Sequence, residues 1–337
     1  MTTTLEKTAL VLGATGGIGG EVAAELLRRG WKVSALARDP ETAAPRWHRP
    51  ERGLQWIKGD AMNADAVVAA AKGATLIVHA VNPPGYRDWD KLVLPMLENS
   101  IAAARANGAR ILLPGTVYNF GPDAFLAPRE DAPQNPSTRK GAIRVTMERR
   151  LRAVSAEGVR SLIVRAGDFF GPHAGNNWFS QGLVRPGRPV RAISTPGQSG
   201  IGHQWAYLPD VARTMVQLAE RGDALGAFEV FHMDGHWDAD GHAMSAAIRA
   251  ACGRPDLKVR PFPWWLVTLA APFVTTFREM GEMRYLWRVP LRMNNARLVA
   301  VLGAEPHTPL VTAVRETLAG LGCLPDEAGI PRHQTAP

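Results

Sequence analysis

Cysteine is almost missing from this sequence: the 337 residues include two, Cys252 and Cys323. They stand far apart with no ligand-type spacing, so a disulfide framework or a zinc site is not expected, and a reducing compartment is. Long apolar runs are missing as well. The greasiest stretch, residues 263–277, is short and broken by Pro272, and the first residues are polar. A signal peptide or a membrane span is therefore not expected, and the reading is a cytoplasmic chain. No basic run is interleaved with aromatics, so neither nucleic acid nor a membrane is an expected partner. With 46% hydrophobic and only 21% charged residues, the chain can bury the core of one large domain or of two intimately joined ones. The formal net charge of +8 is uneven: residues 1–165 carry 23 Lys/Arg against 16 Asp/Glu, and residues 166–337 carry 16 against 15. The surplus lies in the first half, where an anion would bind.

What is present is a glycine loop, Gly13-Ala14-Thr15-Gly16-Gly17-Ile18-Gly19-Gly20. It follows an apolar run at 8–12 that reads as a buried strand, and it opens a helix-compatible stretch, 21–29, closed by Gly30. Gly13, Gly16 and Gly19 permit a tight turn, a close backbone approach to pyrophosphate and close packing of helix on strand. The helix N-terminus then offers unpaired N–H groups to the phosphates. Thr15, Gly17 and Ile18 complete the loop. A second strand, 31–37, ends in Arg38. An arginine there accommodates the 2′-phosphate of NADP, so NADP(H) is expected over NAD(H). Asp39 before Pro40 reads as a helix N-cap, its carboxylate used on the backbone. Further strands are read at 54–60, 74–81 and 110–113. Asn63 caps a helix to Gly73, and another helix at 87–107, kinked near Pro95, closes at Gly108. Ala80 and Val81 end the fourth strand and lead into a loop, 82–85, placed near the nicotinamide ribose. Successive strand-then-helix units force an α/β, Rossmann-type doubly wound parallel sheet that binds ligands beyond the carboxyl ends of its strands.

The Gly-x-x-Gly-x-x-Gly spacing with Thr15 resembles the short-chain dehydrogenase/reductase superfamily, in its extended and atypical branches of the NAD-dependent epimerase/dehydratase type. The turn at 166–172 resembles the Arg-Pro-x-x-x-Tyr-Gly-Pro turn of extended members. Residues 204–212 resemble their following strand and helix start, with Asp210 as N-cap, and 294–322 resemble their closing helices. The resemblance implies a nucleotide-binding domain at 1–165, completed by about 203–232, with a smaller discontinuous substrate domain from 166–202 and 233–322. Residues 323–337 read as a polar tail. For Asp60, with Ala61, the resemblance implies a contact to the adenine amino group, and capping of the local turn is the open alternative.

Extended members carry a Tyr-x-x-x-Lys pair on the helix after the fifth strand. Counting back from Glu148 puts Arg144 at the lysine position and Lys140 at the tyrosine position, so the catalytic tyrosine is absent. Arg144 can still donate to ribose hydroxyls. Lys140 is then a candidate proton donor, the open alternative being two solvated charges, and Thr116 is the candidate that orients the substrate oxygen. Tyr118 and Tyr207 are further candidates for the missing phenol. His173, Asn177, Trp178, His203 and Tyr207 are the candidates for substrate contact. The stretch 232–242 holds three histidines and three carboxylates without a metal-site spacing, so no metal is expected. The apolar stretch 261–277 has no polybasic flank and reads as core or pocket lid, with a membrane-surface helix or a homodimer face as alternatives. The function expected is NADPH-dependent reduction of a small or medium apolar carbonyl, enone or related substrate. The alternatives are a catalytically silent NADP-sensing regulator and a sugar-nucleotide epimerase or dehydratase, the latter disfavoured by the near-neutral second half.

Overall fold

The structure is a computed structural model that describes residues 7–83, 88–175 and 177–324. Pro84 and Gly85 of the loop expected beside the nicotinamide ribose, and residues 325–337 of the expected tail, lie outside the described residues. The first half alternates strand and helix: β1 (Thr8–Leu12), α1 (Gly17–Arg28), β2 (Lys32–Ala37), α2 (Pro40–Ala43), β3 (Gln55–Lys58), α3 (Ala64–Ala70), β4 (Leu76–His79), α4 (Trp89–Asn107), β5 (Arg110–Thr116), α5 (Arg139–Ser155) and β6 (Ser161–Ala166). Helix α1 begins at Gly17, ahead of the expected residue 21, because the glycines themselves supply its first turn. Side chains cap the next helices: Asp39 Oδ1 accepts from the Thr42 amide at 3.2 Å, and Asn63 Oδ1 accepts from the Ala66 amide at 3.0 Å. Helix α4 keeps Pro95 inside and ends at Gly108, which takes the left-handed φ of 64° that a residue with a Cβ resists.

The second half runs β7 (Asp168–Phe170), β8 (Ala192–Thr195), β9 (His203–Tyr207), α6 (Leu208–Ala219), β10 (Phe228–His232), β11 (His236–Asp238), α7 (Ala243–Cys252), β12 (Lys258–Pro261), α8 (Trp264–Ala270), α9 (Thr275–Glu282), α10 (Ala296–Leu302) and α11 (Leu310–Gly320). Seven strands form the main sheet in the order β10-β6-β5-β4-β1-β2-β3, parallel at every pairing. The strand order turns between β1 and β4, which opens a crevice at their carboxyl ends. The period-two alternation of β1 separates the two faces. Ala9 and Val11 join the core under α1 and α6, while Leu10 and Leu12 join the core under α3, α4 and α5. Each fully buried leucine of this kind contributes about 2 kcal/mol.

Two expectations for the second half are corrected. Of residues 203–232, only α6 and β10 complete the nucleotide unit, because β9 pairs with β7 and β11 in a separate three-stranded sheet. Nor is Asp210 an N-cap: Tyr207 holds that place without a side-chain bond. Asp210 sits inside the first turn and accepts from the Thr308 amide at 2.7 Å and the Thr308 hydroxyl at 2.8 Å, tying α6 to the segment before α11. The third core is aromatic. Trp178 packs edge-on to Phe262 and Trp287 at 6.1 and 5.3 Å, and Phe170 stacks on Phe179 at 5.8 Å.

Candidate functional site

A cleft of about 1100 Å³ runs along the carboxyl ends of β1, β2, β4 and β5. Its floor is the glycine loop. Gly13 has φ 93°, and a Cβ there would lie 2.5 Å from the Ala80 carbonyl oxygen; a Cβ on Gly19 would lie 2.2 Å from the Gly13 carbonyl oxygen. These two glycines press the loop onto β4 and α1 onto the loop. A Cβ on Gly16 would meet only the Gly13 carbonyl oxygen, at 3.3 Å, so its freedom serves the approach from the cleft side. Gly13, Thr15, Gly16, Gly17 and Ile18 line the cleft with Ala80 and Val81, and the N-terminus of α1 opens onto it. Gly19 packs beneath the loop and does not line the cleft.

Past the end of β2 the lining includes Arg38, Asp39, Thr42 and Arg46. Asp39 gives one carboxylate oxygen to the Thr42 amide and the other to the Thr42 hydroxyl, and these bonds hold its pKa below the usual carboxylate range. Two cations and one engaged carboxylate suit a phosphate better than a ribose hydroxyl. Asp60 and Ala61 line the same end, and Asp60 Oδ1 also accepts from the Met62 amide at 2.9 Å. The turn-capping role is thus present, on a residue that also faces the cleft.

At the other end, past β5, stand Thr116, Tyr118 and Arg144, with Trp89, Met96, Met147 and Phe169 around them in the lining. The Arg144 guanidinium lies 5.2 Å over the Trp89 ring and donates to the Pro114 carbonyl at 3.4 Å. Thr116 Oγ1 accepts from the Tyr118 amide at 3.3 Å. The Tyr118 hydroxyl reaches Asp168 Oδ1 at 3.5 Å, and Asp168 Oδ2 takes His203 Nε2 at 2.9 Å. His203 is buried, stacked on Trp287 at 3.8 Å, and its Nδ1 donates to the Leu286 carbonyl at 3.2 Å. A chain of polar groups therefore runs inward from the cleft wall.

His79, at the end of β4, also lines the cleft. Ser100 Oγ donates to the Met96 carbonyl at 3.3 Å and so accepts from His79 Nδ1 at 2.8 Å, which fixes the tautomer and leaves Nε2 as an acceptor. Nε2 is buried without a hydrogen-bond partner among the described residues. Burial, and then the charge of Arg144, push the His79 pKa down to about 3, so the ring is neutral.

Other expected residues are not brought to the cleft. Lys140 is 3% exposed and turns to α9, where its Nζ lies 2.8 Å from Glu279 Oε2 and 4.0 Å from Glu282 Oε2. The carboxylates draw it away from any place where it could protonate a substrate beside Arg144. His173 Nδ1 is 2.9 Å from Oε1 of Glu21, a buried carboxylate of α1 that also accepts from Arg49. Trp178 lies in the aromatic core, and His203 does not line the cleft but is linked to its wall through Asp168. The Tyr207 phenol donates to Glu316, and burial, with that carboxylate, pushes its pKa upward. Of the five substrate candidates only Asn177 lines the cleft, and its side-chain oxygen also accepts from the Ser180 amide at 2.9 Å. His232 accepts from the Arg165 guanidinium at 2.9 Å, His236 lies tilted against His307 at 4.4 Å, and His242 faces the Ser199 hydroxyl at 2.9 Å, so the three point to different surroundings.

Sequence reasoning missed Arg46, Asp168 and His79. His79 had a signal, as the polar residue that ends an otherwise apolar strand at the ligand-binding edge. Arg46 and Asp168 had none of comparable strength, because one depends on how the segment after α2 folds back and the other on a second sheet.

Comparison with known proteins places this architecture. The sequence pattern of the NAD dependent epimerase/dehydratase family matches residues 9–233. An uncharacterized protein y4nL of Sinorhizobium fredii is 30% identical over 184 residues, 49% of this chain and 51% of that protein. A 3-diazoavenalumate denitrifying reductase of a Streptomyces species is 29% identical over 181 residues, 49% of this chain and 57% of that protein. The matched region thus spans about half the length of these relatives. The crystal structure of UDP-glucose 4-epimerase from Brucella ovis in complex with NAD superposes with a TM-score of 0.72 at 16% identity, over 94% of this chain and 98% of that one, which is a likeness of fold. On the match over residues 9–233, the chain belongs to the NAD dependent epimerase/dehydratase family, within the short-chain dehydrogenase/reductase superfamily that its glycine loop resembles.

Proposed function

We propose that the protein is an NADPH-dependent reductase of a small or medium, mostly apolar carbonyl, enone or related acceptor, with Tyr118 in the role of the missing motif tyrosine. The observation that carries this reading is the pair of Thr116 and Tyr118, with Asp168 buried behind the phenol, at one end of a cleft whose other end holds Arg38 and Arg46. Phosphate binding falls to the glycine loop and the N-terminus of α1, and the 2′-phosphate to the two arginines. Arg144 donates to ribose hydroxyls from a guanidinium fixed on Trp89. A bound dihydronicotinamide supplies the hydride.

The chain's own part is orientation and the proton. Thr116 donates to the substrate oxygen, and the Tyr118 phenol protonates it as negative charge develops there. The phenol donates to Asp168, which is linked in turn to His203, so protonating the substrate requires the hydroxyl to turn from Asp168 to the cleft. Trp89, Met96, Met147 and Phe169 exclude water from the acceptor. That a reductase is among the relatives supports the reaction class.

The test is transfer of deuterium from 4-deuterated NADPH to a pooled panel of carbonyls, enones and imines, read by mass spectrometry after cofactor binding has been measured. Label in a product that disappears with Tyr118→Phe supports the reading. Tight NADPH binding without label on a broad panel favours the second reading, an NADP-sensing regulator, which the absence of tyrosine at position 140 motivates. Tight NAD with turnover of a nucleotide sugar overturns both.

A further inference from the structure

We propose that the hairpin of α8 and α9 docks this protein on the surface of an anionic lipid bilayer. Trp265, Leu269 and Phe273 are spaced i, i+4, i+8, and the amide of Val274 still donates to the Ala270 carbonyl at 2.9 Å, so one helical face continues past the end of α8. These three side chains are 70%, 67% and 88% exposed. The opposite face is seated in the protein: Val267 is buried, and Trp264 Nε1 donates to the Pro196 carbonyl at 2.9 Å. Behind it, the Lys140–Glu279 ion pair fastens α9 to α5. Large apolar side chains exposed singly are ordinary, but a contiguous set on a firmly held face marks an interaction surface.

Charge selects the occupant. The Arg284 guanidinium lies 4.9 Å over the Trp264 ring, and Arg288 is near enough to repel it. Neither arginine has an acidic partner among the described residues. No polybasic run exists in the sequence; the structure brings Arg284 and Arg288, from the segment after α9, to the start of α8 at Trp264. A second copy seated symmetrically on this face would add another unneutralised arginine pair to the same seam. A bilayer with anionic headgroups neutralises the arginines while tryptophan, leucine and phenylalanine enter the boundary between headgroup and acyl chain.

The experiment is co-sedimentation of the full chain with vesicles of phosphatidylcholine, and of phosphatidylcholine with phosphatidylglycerol, alongside sedimentation velocity without lipid. Binding to the anionic vesicles that weakens with salt is the result expected. Leu269→Asp with Phe273→Asp lowers the bound fraction roughly tenfold or more, with an unchanged melting curve because both side chains are exposed. Arg284→Gln with Arg288→Gln lowers anionic-vesicle affinity by about fivefold per charge removed and leaves any binding to neutral vesicles unchanged. Absence of binding to both vesicles overturns the proposal, as does binding that ignores all four substitutions. A lipid-free dimer that Leu269→Asp with Phe273→Asp splits overturns it in favour of a self-interface.

Discussion

At the end of the cleft proposed for the phosphates the backbone is the main instrument: glycines without Cβ atoms and a helix N-terminus, with two arginines past β2. At the end proposed for the reaction the instrument is a set of side chains gathered from several elements, among them Trp89 and Met96 of α4, Thr116 of β5, Arg144 and Met147 of α5 and Phe169 of β7, with Tyr118 just after β5. The first kind of site tolerates almost no change in the residues that make the turn, because the space is already filled by main chain. The second tolerates a change of donor, so long as some group delivers a proton at the same point. That difference explains how a chain can keep the family's glycine loop and lose its tyrosine. It also says which substitutions should separate binding from chemistry.

The largest effect belongs to the loop. Gly19→Ala puts a Cβ 2.2 Å from the Gly13 carbonyl oxygen, a backbone atom that cannot swing aside. The expected cost is about 3 kcal/mol of stability, the upper end for overpacking, with loss of NADPH binding. Urea denaturation and fluorescence titration check both, and a normal Kd in a normally stable variant would remove the loop from the site. Next is Tyr118→Phe. It should lower kcat by roughly 10²- to 10⁴-fold, the usual size of one general acid, and leave the NADPH Kd within about twofold. A parallel loss of binding would make Tyr118 part of the cofactor site instead.

Arg38→Ala combined with Arg46→Ala sharpens the comparison at the adenosine end. Losing charge-assisted bonds should raise the NADPH Kd by roughly 10- to 100-fold and leave the NADH Kd nearly unchanged. An equal effect on both cofactors would argue against a 2′-phosphate contact. Acid sensitivity follows from two buried neutral histidines, whose folded pKa values of about 3 lie below the ordinary 6.5. Between those values the unfolded chain holds more protons, so stability falls as pH drops through that window and is flat above it. Each histidine contributes a slope of about 1.4 kcal/mol per pH unit. His79→Asn should remove one such slope, measured by urea denaturation between about pH 7 and about pH 5, and an unchanged slope would mean that His79 is solvated.

Much of the nucleotide half was legible because its signals are local. The strand at 8–12, the glycines, the caps at Asp39 and Asn63 and the stop at Gly108 each depend on neighbours within a few residues, and the structure has each of them. The reaction end was legible only as a gap in a motif. Asp168 and His203 meet Tyr118 through a small sheet whose strands are far apart in sequence, and no spacing encodes that meeting. Asp210 shows the same limit on a smaller scale, since a long-range bond to Thr308 replaced the local capping role its position suggested.

Lys140 and Arg144 make the last and smallest prediction, because they stand one turn apart on α5 and have opposite fates. Spacing alone would aim both at the cleft. Arg144 reaches it through the gap beside Trp89, whereas Lys140 lies under α9 and meets Glu279 and Glu282, which are spaced one helical turn apart on that helix. A charge so engaged holds two elements together and has no path to a substrate oxygen. Lys140→Met should therefore lower stability by about 2 kcal/mol, less than for a fully enclosed pair because both glutamates keep some contact with water. It should change kcat/KM by no more than about twofold, in contrast to Tyr118→Phe. A fall in kcat of Tyr118→Phe size, at unchanged stability, would mean that Lys140 leaves α9 during turnover, and the proton would then have to be reassigned to it.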